Sequence, residues 1–540
     1  MNRIKRFFDK KMVRVSALLI VVVIFITLTA RKIYNYAAAP DKEKDCNFTF
    51  PTNPDQTKST TIFIKIPEQT IPFVQKGGFI NDASCLNKTA VHGIVDVAKI
   101  EDIQNALQFA QKNNLQVTSA GQRHSMGGQS FVQGGLVLDM RNFNQMKVDK
   151  ERKILTVQSG ATWKEVQKFL DAQGLAVKAM QSINIFTIGG TLSVNAHGIA
   201  HDPGIVTPTV KSMRVMLPNG EIKTASLEEN PELFRLVLGG YGLFGVILDA
   251  DLEVVDNEIY TLKTDYLLPQ DFPQYYRDHI ENNDEVGLFY GRLSVSPSSY
   301  LREMAVHMYT KTANQDALPP LKSEGNSTLE RFVINFSKTG SFGRWLRWVL
   351  EKHIEPSIHS CISRNQAMSR EEDCIVTRNQ EMYDSMEYLK NRLPDTDILQ
   401  EYFIPQDKMP EFVENLGKIV QTNGANLLNV TVRIVHQDNI TALPYAKQDM
   451  FAFVLYFNQE LNDHDSKILE QTTSDLIDAA TSLKGTFYLP YQLYYSKKQL
   501  QKAYPEIESF FVAKRKIDPL ELFTNKFYEK YGKNLSGRHL

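Results

Sequence analysis

The sequence predicts a two-lobed protein of mixed helices and strands behind an N-terminal membrane anchor. Three observations lead there. An apolar run follows a basic N-terminus, helices alternate with strands and glycine-dense loops over residues 86–257, and longer, more aromatic strands follow after 257. At 540 residues the chain exceeds what one ordinary core holds. The 42% hydrophobic and 23% charged residues describe a folded body. Lys plus Arg number 61 against 62 for Asp plus Glu, so no overall positive field gathers nucleic acid, and no nucleic-acid partner is expected.

Arg3, Lys5, Arg6, Lys10, Lys11 and Arg14 precede VSALLIVVVIFITLTA (15–30), which closes on Arg31-Lys32. The run is slightly short for a span of about 20 residues, and flanking Arg14 and Lys32 can snorkel to lengthen it. Its positive front predicts a cytoplasmic N-terminus and a body on the other side of the membrane. A cleavable signal peptide is the alternative, with Ala37-Ala38-Ala39 as the small-residue site. Residues 1–36 are thus read as anchor, and the polar, Pro/Thr/Lys-rich 37–85 as linker or stalk. The four cysteines, Cys46, Cys85, Cys361 and Cys374, contain no CxxC and no zinc-like spacing, so no metal site is expected. In an exported body they could form two disulfides; lone buried thiols are the other reading. Sequons such as those at Asn326 and Asn429 occur near chance density.

In VAKIEDIQNALQFAQKNN, residues Ile103, Ala106, Leu107 and Ala110 share one helical face, and LQVTSAG reads as a strand entering the first glycine loop. LVLDM (136–140) and ILTVQSG (154–160) are further strands. Thr162 and Glu165 form a capping-box pattern for a helix that buries Trp163, Val166, Phe169 and Leu170 and ends by Gly174. VKSMRVMLPNGEIKTAS is a hairpin turning at Asn219-Gly220, with positive φ expected at both. Asn230 as N-cap and Pro231 as first helical residue open PELFRLVL. Strands are read at 286–295, 429–437 and 451–457, and a terminal helix breaks at Asp518-Pro519.

Three glycine-dense segments carry the chemistry: GQRHSMGGQ (121–129), TIGGTLSVNAHG (187–198) and GGYGLFG (239–245). Glycine removes the Cβ and frees φ, so a ligand can approach bare main chain whose N–H groups cradle a pyrophosphate. Neither GxxxxGK[ST] nor a strand-borne GxGxxG is present, which argues against a P-loop or an NAD-type Rossmann site.

The ordered series SAGQRHSMGGQSFVQGGLVLDMRNFNQMKVD, TVQSGATWKEVQKFL, TIGGTLSVNAHG and GGYGLFGVILDADLEVV resembles the FAD-binding domain of the vanillyl-alcohol-oxidase, or p-cresol-methylhydroxylase-type (PCMH-type), flavoproteins. FFVAKRKIDPLELFTNKF (510–527) is similar to the C-terminal segment that returns to that domain. The resemblance implies an α+β fold: an FAD-binding PCMH-type domain of two α+β subdomains (86–257), a substrate-binding cap lobe on an antiparallel sheet (258–500), and a returning segment (501–540). It implies FAD as cofactor, covalent through His124 or merely contacted by it. It also implies cofactor binding by Gly121, Gln122, Arg123, Ser125, Gly127, Gly128 and Gln129. From the later segments come Ile188, Gly189, Gly190, Thr191, Ser193, Asn195, His197 and Gly198, then Gly245, Val246, Ile247 and Asn525. Gly239, Gly240 and Gly245 could instead be helix-end and strand-entry glycines.

QEYFIP (400–405) and NVTVRIVHQD (429–438) look like segments of aldonolactone and alditol oxidases, where a Glu stands two residues before a substrate-binding Arg. Arg433 fits, but the earlier position is Thr431, and the HWGK-like segment is replaced by FYLPYQLYYSKKQL. Arg433, Tyr491 and His436 are the catalytic candidates; Arg433 could alternatively form a sheet-surface ion pair, and His436 with Asp438 could be an acid–base pair. The expected function is FAD-dependent oxidation of a hydroxyl-bearing carbon in a sugar, polyol, lactone or lipid-linked alcohol, with oxygen or a membrane quinone as acceptor. A flavin-dependent C=C reductase and a non-catalytic, membrane-tethered flavin-binding protein are the alternatives.

Overall fold

The computed structural model describes residues 27–28, 30–31, 71–316, 318–321, 328–353, 375–383 and 395–533. The apolar run 15–30 therefore lies almost wholly outside the described residues, as do Cys46, Cys361, Cys374 and the Asn326 sequon. Among the described residues no helix is long and apolar enough to cross a membrane. Cys85 is disulfide-bonded.

Three sheets organise the body. The first has four strands in the order Phe73–Lys76, Gly93–Asp96, Leu136–Asp139, Val117–Ala120, the last three parallel. Helix Ile100–Lys112 covers it with Ile103, Ala106, Leu107 and Ala110, the face its 3.6-residue periodicity predicts. The second sheet is antiparallel, with central strand Val246–Asp256 between Val210–Met216 and Ile154–Gln158. On helix Trp163–Asp171 the capping box is complete: Thr162 accepts from the Glu165 N–H while the Glu165 carboxylate accepts from Thr162.

Two local expectations are corrected. In the 210–226 hairpin only Gly220 has positive φ, because the connection is longer than a two-residue turn and Asn219 instead accepts from the Glu221 N–H. Asn230 does not cap its helix. It adopts the left-handed conformation, and its amide donates to the Thr224 carbonyl at 2.7 Å, tying the helix start to the hairpin.

The third sheet has eight strands in the order Ile375–Thr377, Ile259–Leu267, Met304–Lys311, Val286–Leu293, Asn426–Val435, Met450–Glu460, Asp395–Pro405 and Thr486–Phe487. Alternation along Asp395–Pro405 divides its side chains. Tyr402 packs on Phe412 of helix Met409–Asn423 and Gln400 bonds Thr473 of helix Asp463–Ser482, while Leu399 and Glu401 face the opposite side. That opposite face of the sheet is the floor of a large cavity.

The chain end returns to the first sheet. Val117 donates to the Leu522 carbonyl at 2.7 Å and Thr524 donates back to Val117 at 3.2 Å. The turn before it is fixed by Asp518, which is fully buried, accepts from the Leu522 and Phe523 N–H groups, and pairs with buried Lys514.

Candidate active site

The cavity encloses 1690 Å³ of empty space, its open mouth included. Its roof is the first glycine loop with Ser159, Phe186, Gly189 and Gly190, then Gly242 and Gly245 to Ile247. Glycine is required here by close chain approach. A Cβ on Gly121 would lie 2.1 Å from Thr187 Oγ1, and one on Gly198 would lie 1.8 Å from the Met180 carbonyl oxygen. We expect Gly198→Ala to abolish soluble folded protein or lower its melting temperature by several degrees, measurable by thermal unfolding.

Of the sequence-derived positions, Gly121, Gln122, Arg123, His124, Ser125, Gln129, Gly189, Gly190, Thr191, Ser193, His197, Gly245, Val246 and Ile247 line the cavity, as do Arg433 and Tyr491. The others stand behind it. Gly127 packs against the Tyr491 carbonyl, and Gly128 has φ +72 with its N–H donating to Asp82. Ile188 is core. Asn195 is left-handed and bonds Asp438 and Thr207, shaping the second loop from beneath. Asn525 caps the last helix and donates to the Tyr241 carbonyl at 2.8 Å. Gly239 donates to Leu192 at the end of the neighbouring helix.

His436 is not brought to the cavity. It lies just past the strand end and, three residues from Arg433, on the other face; its Nδ1 meets Asp449 at 3.0 Å and its Nε2 meets the His201 carbonyl. Asp438 is occupied by Thr441 and Asn195. The two form no acid–base pair.

His124 is half-buried with its ring 4.3 Å from that of Phe186. Burial, then the charge of Arg123, pushes its imidazole down to about 3, so it is neutral at physiological pH. Arg123 itself turns away, donating to the Asn81 carbonyl at 2.7 Å.

Opposite this roof stands a cluster centred on Glu401. One carboxylate oxygen accepts from Tyr491 Oη and the other meets His197 Nε2. Burial pushes the Glu401 carboxyl up, but His197, Arg433 and Tyr491 outweigh it and hold it below the usual value. Burial and Glu401 push the Tyr491 phenol far up, keeping it a neutral donor. Arg433 donates from Nη2 to Ser182 Oγ at 2.7 Å, and its buried Nε has no protein partner. His197 sits among Phe403, Tyr445 and Tyr488, with its Nδ1 buried and without a protein partner. Tyr445 and Tyr488 donate to the Asn195 and Val194 carbonyls, so the sheet lobe holds the second glycine loop in place.

Sequence reasoning missed Glu401. The carboxylate it lacked at Thr431 is supplied two strands away at the same level, because Thr431 and Glu401 both pair with Val454. The segment QEYFIP contained it, and only strand register reveals which of its side chains faces inward.

The first glycine loop is buttressed by Asp82, which accepts from the Gly128 N–H at 3.1 Å and from Ser84. Burial raises its carboxyl to about 6 from 3.8. The folded state thus holds this proton more tightly than the unfolded chain. Its contribution is fully present below about pH 3.8 and is lost as pH rises through about 6. Asp82→Asn removes this dependence. The melting-temperature difference between variant and wild type is expected to shift in the variant's favour from pH 4 to 6, equivalent to about 1.4 kcal/mol per unit. A constant difference across that range rejects it.

The cavity suits an elongated cofactor with a flat end: bare main chain from three loops, a buried Ser159 hydroxyl without a protein partner, and His124 against Phe186. Among the described residues no cluster could hold a metal ion.

Comparison with known proteins agrees. An FAD binding domain model matches residues 91–226, and a D-arabinono-1,4-lactone oxidase model matches 292–531. Cytokinin dehydrogenase 2 of Arabidopsis thaliana is 32% identical over 204 residues, 37% of this chain and 40% of that protein. L-gulonolactone oxidase of Bos taurus is 22% identical over 449 residues, 80% of this chain and 93% of that protein. The mouse L-gulonolactone oxidase is 20% identical over 454 residues, covering the same shares. The chain spans less than half the length of the Arabidopsis relative. With both models matched in order and the glycine loops roofing one cavity, residues 91–226 carry an FAD binding domain, the region after it is similar to D-arabinono-1,4-lactone oxidase, and FAD is the cofactor.

Proposed function

We propose that this protein oxidises a hydroxyl-bearing carbon of a neutral sugar, polyol or sugar lactone. The observation that carries the reading is the Glu401–His197–Tyr491 cluster on the cavity floor, opposite the glycine loops. Bound FAD supplies the two-electron acceptor for the hydride that leaves the substrate carbon. The hydroxyl proton must leave as well. Glu401 accepts from His197 Nε2–H and from Tyr491 Oη, and this hydrogen-bonded cluster is the group that takes up the proton. Tyr491 stays a hydrogen-bond donor, and Arg433, tethered to Ser182, orients substrate oxygen. Gly121 to Ser125, Gly189, Gly190 and Gly245 to Ile247 would hold the cofactor.

His124 is read as the covalent attachment residue, supported by its neutral imidazole in the first loop, on the cavity wall. Acid-denatured protein should then keep its yellow colour, and His124→Ala should release it. Colour released from the wild type rejects the tether and leaves the fold intact. Residues 15–30 are read as a membrane tether, supported by their six preceding cations and by the disulfide at Cys85, which suits an exported body.

The reading is tested by mixing the protein anaerobically with sorbitol, L-gulono-1,4-lactone and related polyols and following flavin bleaching. Bleaching by at least one is expected, and bleaching by none rejects it. Oxygen or a quinone reoxidises the flavin; readmitting each separately tells which.

A further inference from the structure

The cavity continues well beyond the reacting centre. Its floor is a grid of three levels set by strand register: Arg433 beside Ala452, Thr431 beside Val454 and Glu401, and Asn429 beside Tyr456 and Leu399. At about 3.3 Å per residue, Asn429 lies roughly 13 Å along the strand from Arg433. A free lactone or short polyol engaging Glu401 and Arg433 leaves the third level empty.

That far chamber is built. A bulge between Leu427 and Asn429 interrupts the register, and the Leu428 carbonyl there accepts from Arg347 Nη1 at 3.0 Å. Arg347 is also held by Glu351 at 2.7 Å, and Glu351 in turn binds Arg292 at 2.7 Å. Ile334 and Arg347, from the helices Thr328–Lys338 and Ser341–His353, close the end. The Asn429 amide donates to Thr431 Oγ1 at 3.0 Å, and its carbonyl oxygen meets no protein donor. This sequon asparagine therefore faces the cavity.

Resting on the activity proposed above, we infer that the far chamber is a second subsite for a polyhydroxylated moiety, so that the substrate is a glycosyl-bearing alcohol rather than a free monosaccharide derivative. An aromatic ring (Tyr456) and aliphatic side chains (Leu399, Ile334) face the C–H side of a sugar. An amide and a hydroxyl (Asn429, Thr431) suit its hydroxyl groups. Among the described residues Glu401 is the one carboxylate lining the cavity, and it stands at the near end. Arg347, engaged by Glu351 and Leu428, forms a wall rather than an open anion site.

The test is titration calorimetry on the oxidised, FAD-loaded protein with sorbitol, its glucoside maltitol, its galactoside lactitol and sorbitol 6-phosphate. Maltitol or lactitol is expected to bind about ten-fold or more tighter than sorbitol, and Tyr456→Ala to bring that ratio close to one. Asn429→Ala is the second variant should Tyr456→Ala fail to fold. Equal binding of sorbitol and its glycosides, an advantage that survives the substitution, tighter binding of the phosphate, or binding of none overturns the inference. Flavin bleaching by sorbitol without a glycoside preference keeps the proposed activity and rejects the second subsite. Glycoside binding without bleaching does the reverse.

Discussion

Glu401→Gln is expected to slow alcohol-driven flavin reduction by about 10²–10⁴, while the purified protein stays folded and yellow. Glu401 reaches the glycine loops only through His197 and Tyr491, so its replacement is expected to spare cofactor binding. What it removes is orientation: the carboxylate holds the His197 ring by Nε2 and at the same time receives the Tyr491 hydroxyl. A glutamine cannot accept on both sides. Its amide N–H₂ must face either His197, forcing the other tautomer, or Tyr491, stranding a buried phenol. Because the two histidine nitrogens are distinct, the tautomer change alone moves the ring proton to Nδ1, amid Phe403, Tyr445 and Tyr488. His197→Gln should cost about as much, and the double variant scarcely more, since the pair acts as a unit. Additive losses would show that Glu401 and His197 serve separate steps. A Glu401→Gln protein that reduces its flavin at the wild-type rate would remove the cluster from the chemistry altogether. The measurement is a single-turnover rate under anaerobic conditions, with the flavin spectrum as internal control for cofactor content.

How much of this was legible in the sequence differs by element. The helix Ile100–Lys112 and the capping box at Thr162 and Glu165 rest on contacts within a few residues, and local pattern was enough. The glycine loops were legible as a set, because most of their glycines stand too close to a neighbouring residue for a Cβ and Gly128, Gly239 and Gly242 hold positive φ. Their individual roles were not. Gly189 faces the cavity while Gly198, nine residues on, packs against Met180, and nothing local distinguishes them. His436 was misread because alternation along a strand gives parity but not direction. Arg433 turns inward, and His436, at the opposite parity, therefore turns toward Asp449. Glu401 escaped for the converse reason. Its partners are 204 residues upstream and 90 downstream, joined only once the eight-stranded sheet aligns Val454 between it and Thr431. The carboxylate on the cavity floor is thus a property of register, which no short motif records.

Asp518→Ala is expected to destabilise the protein by about 3–5 kcal/mol, because it strands the Lys514 ammonium in the interior without its counter-ion. Both side chains are completely buried. Burial pushes the Lys514 ammonium below its ordinary value, against the pull of Asp518 and Glu521. Asp518 also accepts from the Leu522 and Phe523 N–H groups at 3.0 and 2.8 Å, so its loss frees the turn that sets the returning segment against Val117. That turn matters to the site. Beyond it, Asn525 fixes the Tyr241 carbonyl at the third glycine loop, and Lys526 donates to Asn87 at 3.2 Å beside the first. Loosening the turn should therefore lower flavin retention as well as melting temperature, and the two should fall together in thermal unfolding followed by protein and flavin fluorescence. Lys514→Met with Asp518→Leu removes both charges at once. It should cost less than Asp518→Ala alone, since no uncompensated charge remains and only the two N–H bonds are lost. If the double variant is the less stable of the two, the pair stabilises the fold by attraction and not merely by mutual neutralisation. If Asp518→Ala unfolds at the wild-type temperature, the returning segment is held by its apolar contacts, Phe523 and Phe527 foremost, and the buried ions are incidental to it.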